Sequence, residues 1–98
     1  MVPIALREIA GGDEELLRQL VADLASGLAK SIELMRNAEG DDQLRLFAHR
    51  LKGGALAIGS DRLAKLAAAA ERDPARRADL IVEIDETFAA EFGDAVAA

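Results

Sequence analysis

Cysteine, tryptophan and tyrosine are absent from the 98 residues, which hold two prolines, three phenylalanines and a single histidine. Without cysteine there is no disulfide, no thiol nucleophile and no cysteine-ligated zinc, a usage that fits a reducing compartment. One imidazole leaves no second histidine ligand for a metal, and no carboxylate pair stands beside it at helical spacing for acid–base chemistry. No apolar run approaches the length of a bilayer span. The opening "MVPIALREIAGGDEE" turns acidic too early for a signal peptide. The chain is therefore expected to be cytoplasmic, without a membrane partner.

Positive charge is also scarce. Twelve Lys and Arg stand against eighteen Asp and Glu, a net charge of −6, and this excludes nucleic acid as a general partner because phosphate binding needs a basic face. The charge is uneven, however. From Arg45 to Lys65 five basic residues (Arg45, Arg50, Lys52, Arg62, Lys65) accompany one acid, Asp61, giving +4 there and −10 elsewhere. Taken alone, this island reads as ordinary solvated surface.

What is abundant is leucine and alanine, in a chain 51% hydrophobic overall. Few β-branched residues and few prolines make the composition all-α, and the length suits one domain spanning residues 1–98. The spacing predicts helices over 3–10, 13–37, 42–58, 60–72 and 74–96. Pro3 suits a first helical position, and Gly11 and Gly12 end the short first helix. Asp13 caps the next, whose Leu17, Leu20, Val21, Leu24, Leu28, Ile32 and Met35 form one inward stripe. Gly59 stops the third, Ser60 caps the fourth over Leu63, Leu66, Ala67 and Ala70, and Asp73-Pro74 opens the last, with Leu80, Ile81, Ile84, Phe88, Phe92 and Val96 on one side. Four amphipathic helices with short connections predict an up-down antiparallel four-helix bundle with a short extra N-terminal helix, expected to be a monomer.

Within the 42–58 helix lies "LFAHRLKGGALAIG", Leu46 to Gly59. Glycine inside a helix costs about 1 kcal/mol against alanine, so two beside the only imidazole need a reason. At 100° per residue, Leu44, Phe47, Leu51, Ala55 and Ile58 define the buried direction, and His49 lies about 160° from it. Gly53, at i+4, falls on the same outer face, where its missing side chain leaves a step for a partner to approach the ring. Gly54 lies nearer the core and permits close helix packing. Arg45 and Lys52 flank the ring, and Leu46 and Leu56 bracket it on the outer half, so Arg45, Leu46, Arg50 and Leu56 are candidate docking residues. A neutral imidazole, with an ordinary pKa of about 6.5, is a competent nucleophile near pH 7. A phosphoryl group moving onto it would spread charge over oxygens that Lys52 could meet.

At these residues the sequence resembles the histidine-containing phosphotransfer (HPt) domain family. The family pattern is a histidine, an apolar residue two on, lysine then glycine, and a second glycine six residues later. Here that reads His49, Leu51, Lys52, Gly53 and Gly59, without departure. The following "SDRLAKLAAAAE", closing on Glu71, and the upstream "GGDEELLRQLV" are similar too, so the likeness runs from about Ile4 to Phe92. It implies a phosphorelay. A receiver domain bearing an aspartyl phosphate docks on the histidine helix, His49 attacks through Nε2, and the group passes to the aspartate of another receiver. It implies partners among response regulators or hybrid histidine kinases, no cofactor on this chain, a magnesium ion on the receiver, and no kinase activity. No phosphate-cradling glycine loop with lysine and serine or threonine is present. Asp61 and Glu71 read as helix capping and solvated surface.

Three other readings stand beside this one. The dimerisation domain of a sensor kinase usually follows its histidine with an acid and a nearby proline, whereas Arg50 follows here and the next proline is Pro74. An excised segment of a hybrid or chemotaxis-type kinase would read the same. A scaffold docking through Leu46 and Leu56 would carry an inert histidine.

Overall fold

Asp13 opens the first long helix because its carboxylate accepts the backbone N–H groups of Glu15 and Leu16 at 3.0 and 3.1 Å, with Glu14 and Glu15 at the positive end of the dipole. This helix, α1, runs Glu14–Arg36 and ends at Asn37. Helix α2, Asp41–Ile58, ends on Gly59 in a left-handed conformation with φ +87°. There the N–H of Gly59 donates to the carbonyls of Ala55 and Leu56, and that of Ser60 to Ala55 at 2.8 Å, a closure that favours glycine. Helix α3, Asp61–Arg72, is capped by Ser60. The Ser60 hydroxyl oxygen accepts the Leu63 N–H at 3.3 Å, and the hydroxyl donates to Glu91 at 2.8 Å. Helix α4 spans Arg77–Ala97. The computed structural model describes Glu8 and residues 10–97, with side chains as far as Gly93.

Each helix packs on the next in the order α1, α2, α3, α4, and α4 closes back on α1. The short links alternate their directions, giving an all-α, up-down antiparallel four-helix bundle. Its closing seam is polar. Arg77, in the first turn of α4, donates to the carbonyls of Ala38, at 2.8 Å, and Arg36. The Arg36 guanidinium in turn forms a two-pronged pair with Asp85 at 2.7 and 2.9 Å.

The core is leucine and isoleucine spaced by alanine. Leu28, Met35, Leu44, Leu51, Leu63, Leu80 and Ile84 are the largest fully buried side chains, and Ala25, Ala48, Ala55, Ala67 and Ala70 are fully covered between them. Each buried leucine is worth about 1.5–3 kcal/mol relative to exposure, and the alanines let the backbones approach.

The structure corrects several expectations. The segment 74–96 is not one uninterrupted helix: Pro74–Arg76 form a 3₁₀ turn, with the Arg76 N–H on the Asp73 carbonyl at 3.1 Å, before the α-helix begins at Arg77. The tighter turn reverses the chain directly after α3. The short helix expected over 3–10 falls largely outside the described residues, as does the side chain of Val96. On α2 the buried stripe is Leu44, Ala48, Leu51, Ala55 and Ile58, while Phe47 is half-buried beneath the Arg50 guanidinium, 5.7 Å from its ring centroid. Leu20, Val21, Leu24, Leu66, Phe88 and Phe92 are half-buried at the edges of their stripes.

One buried polar group stands out. The Thr87 hydroxyl is buried and has no hydrogen-bond partner among the described residues. An unpaired buried hydroxyl costs about 1–3 kcal/mol. Thr87→Val is therefore expected to stabilise the bundle by about 1 kcal/mol, raising Tm by about 4–8 °C. A melt followed by circular dichroism checks this, and an unchanged or lower Tm would show that the hydroxyl is satisfied.

Candidate functional site

The hairpin of α2 and α3 creates the site. The turn at Gly59 and Ser60 is tight, so residues equally far from it on the two helices lie side by side. His49 stands ten residues before Gly59, and Glu71 eleven after Ser60. At 1.5 Å per residue both are about 15–17 Å from the turn. The antiparallel register accordingly brings the Glu71 carboxylate to His49, with Oε1 3.1 Å from Nδ1. The other carboxylate oxygen lies 3.3 Å from the Lys52 ammonium.

His49 points outward, as the helical spacing predicts. Its side chain is 64% exposed, with Ala48 and Leu51 buried on the opposite side of α2. Glu71 holds it from one direction only. An ionised carboxylate can only accept, so while the imidazole is neutral the shared proton resides on Nδ1. The lone pair is then on Nε2, which makes no hydrogen bond among the described residues. The contact thus selects both a ring orientation and a tautomer.

Partial burial pushes the Glu71 carboxyl up, but the hydrogen bond and charge of Lys52, followed by those of His49, outweigh it and hold the carboxyl below its ordinary value. Glu71 therefore remains an acceptor under mildly acidic conditions. Because the folded-state value is depressed, the stability this pairing contributes is present above the ordinary glutamate range and is lost as pH falls through the lowered value.

The two glycines have different surroundings. A Cβ at Gly54 would sit 2.8 Å from Leu28 Cδ2 of α1, a fully buried side chain. The bare backbone there is what lets α1 and α2 approach. A Cβ at Gly53 would meet nothing within 4 Å beyond its own helical backbone. No packing within the bundle requires that glycine.

Among the described residues, the remaining expected residues make no hydrogen bond or ion pair to the ring. Leu46 and Leu56 are 50% and 59% exposed. Arg45 is exposed, with Asp42 3.5 Å away, and Arg50 is exposed over Phe47. Lys52 is half-buried and paired rather than free. Asp61 lies in the first turn of α3, which suits its charge, ten residues before Glu71 on the same helix. Glu71 is the residue the sequence reading misplaced: it is the group that joins His49 to Lys52, not solvated surface. Among the described residues no group of three or more His, Cys, Asp or Glu gathers to hold a metal ion.

Comparison with protein families matches the chain to one described as Hpt domain, over residues 14–96. Comparison with curated proteins and with solved structures found no match.

Proposed function

The chain belongs to the Hpt domain family, the phosphotransfer modules of two-component signalling, and from that premise we propose that His49 is the phosphoryl carrier between receiver-domain aspartates. What supports the reading is one arrangement: an exposed imidazole held through Nδ1 by Glu71, with Nε2 directed at solvent beside the unfilled step at Gly53. In the forward step the Nε2 lone pair attacks the phosphorus of an aspartyl phosphate in line. An N–P bond forms as the P–O bond to the receiver breaks, and the aspartate leaves as a carboxylate. The proton on Nδ1 stays in the hydrogen bond to Glu71, which offsets the positive charge that develops on the ring. In the onward step a carboxylate oxygen of the next receiver's aspartate attacks the phosphorus, a P–O bond forms as the N–P bond breaks, and the same tautomer is regenerated. Lys52, one turn from His49, can exchange its Glu71 contact for a phosphoryl oxygen once the group arrives. The magnesium ion belongs to the receiver in this scheme. The chain stores the group and supplies no nucleotide chemistry.

The test is incubation with a receiver domain charged by acetyl phosphate, followed by assay of label on this chain that is acid-labile and base-stable, as a phosphohistidine is. Absence of such label with every receiver tried would overturn the proposal. Glu71→Ala is expected to slow labelling about 10-fold, since partners that orient a reacting imidazole contribute about 10–100-fold. Its deficit should persist at neutral and alkaline pH, where the carboxylate stays ionised and directs the Nδ1 proton, and should disappear only as pH falls through the lowered Glu71 value. A rate equal to that of the parent chain across the pH range would remove Glu71 from the mechanism.

A further inference from the structure

The charges of this bundle are segregated far more than its net value suggests. From Asp41 to Arg72 the chain carries six of its twelve Lys and Arg and four of its eighteen Asp and Glu, or +2 against −8 for the remainder. That segment is the α2–α3 hairpin, with Asp41 and Asp42 in the first turn of α2, and most of the acidic remainder lies on α1 and α4, which pair on the other side of the bundle. Ion pairing is denser on the acidic half, where, among the described residues, Arg18 and Arg36 are paired with Glu15, Glu33 and Asp85 and Lys30 is exposed without a carboxylate within 4 Å. On the hairpin, among the described residues, only Arg45 and Lys52 have a carboxylate within 4 Å. Arg50, Lys65 and Arg72 are exposed without one.

These cations frame His49. Arg45 precedes it by one helical turn on the same face, Arg50 follows it, and Arg72 follows Glu71, which touches the ring. Lys65 lies two turns before Arg72 on the same stripe of α3. Between them the large apolar side chains exposed on the face are Leu46 and Leu56. Unpaired charge on one face of an oppositely charged body acts at longer range. It raises the encounter rate with a complementary partner by about 10–10³-fold and orients the approach.

We propose that the face around His49 captures the acidic rim of a receiver domain by electrostatic steering, and that the acidic α1–α4 half turns the partner away from unproductive approaches. The proposal rests on the phosphotransfer reading and adds to it the chemistry of the partner that fits. A nucleic acid fits poorly, because a strand extending beyond the hairpin meets the carboxylates of the other half.

The experiment uses two sets of receiver domains charged by acetyl phosphate, one with carboxylates and one with Lys and Arg around the phosphorylated aspartate. Sub-saturating transfer to His49 is measured between about 25 and 300 mM salt, a range over which screening lengths shorten severalfold. With acidic-rimmed receivers the rate is expected to fall about 10-fold or more across the range. The double variant Arg45→Glu, Arg72→Glu should lose about 10-fold at low salt, flatten the salt dependence, and leave the rate at saturating receiver within twofold of the parent. Lys30→Glu, on α1, should change none of these. Salt-independent transfer, equal rates with the two receiver sets, or an unaffected double variant would each overturn the steering proposal while leaving phosphotransfer standing. Loss of label with every receiver at every salt would instead overturn the reading beneath it. Inhibition by a short DNA duplex, or low-salt association of the chain with itself seen in sedimentation, would assign the basic face to another occupant and overturn the proposal.

Discussion

His49→Gln is expected to abolish acid-labile, base-stable label on this chain, a fall of at least about 10³-fold, because no other side chain can replace the nucleophile. The same variant is expected to unfold within about 4 °C of the parent. The ring is 64% exposed and its single polar contact is to Glu71, an exposed pairing worth about 0–1 kcal/mol. Glutamine can still donate to that carboxylate. The large loss of transfer with little loss of stability separates a chemical role from a structural one. Label that persists in the variant would move the acceptor to another residue and return His49 to the scaffold reading, in which a partner binds equally well with or without the imidazole. Reading both transfer and partner binding on the same variant therefore distinguishes carrier from scaffold.

The direction of His49 was legible because helical periodicity alone fixes which way a side chain leaves its own helix. For the same reason Gly53 and Gly54 could be assigned to different faces before any packing was known, and Leu28 lies where the Gly54 assignment requires a close neighbour. Glu71 was not legible by that route. Its role depends on the register between two helices, and nothing within α3 distinguishes a carboxylate that meets a facing imidazole from one that meets water. The signal available was the turn: with Gly59 as stop and Ser60 as cap, counting outward along both helices places residues 49 and 71 level. Phe47 shows a related limit. Periodicity gives a direction but not the room available, and the inward position went to Ala48, leaving the larger ring at the edge beneath Arg50. At Pro74 the proline signal marked a helical start correctly, but Asp73 makes no side-chain capping hydrogen bond there, and the signal could not reveal that the first turn would tighten to 3₁₀.

Gly53 should give opposite results in stability and transfer. Within α2 it is a liability, because glycine in a helix interior costs about 1 kcal/mol relative to alanine and a Cβ there meets no obstacle. Gly53→Ala is expected to raise Tm by up to about 4–8 °C, and Gly53→Leu should also be at least as stable as the parent. Transfer should move the other way. Helical side chains lean toward the N-terminus and cover the preceding turn, so a leucine at 53 would lie over His49, one turn back. A receiver must bring its phosphorus within bonding approach of Nε2, and a branched side chain in that path keeps the reacting atoms apart, where a misplacement of 1 Å can cost about 100-fold. Gly53→Leu is therefore expected to slow label capture about 100-fold, and Gly53→Ala by a smaller factor, while both melt at or above the parent temperature. Small-molecule phosphoramidate, which needs no docked protein surface, should label His49 in the leucine variant far closer to the parent rate than a receiver does. Transfer from a receiver at the parent rate in Gly53→Leu would mean the step is not needed for approach. Equal slowing with phosphoramidate would mean the leucine disturbs the imidazole itself rather than the path of the partner.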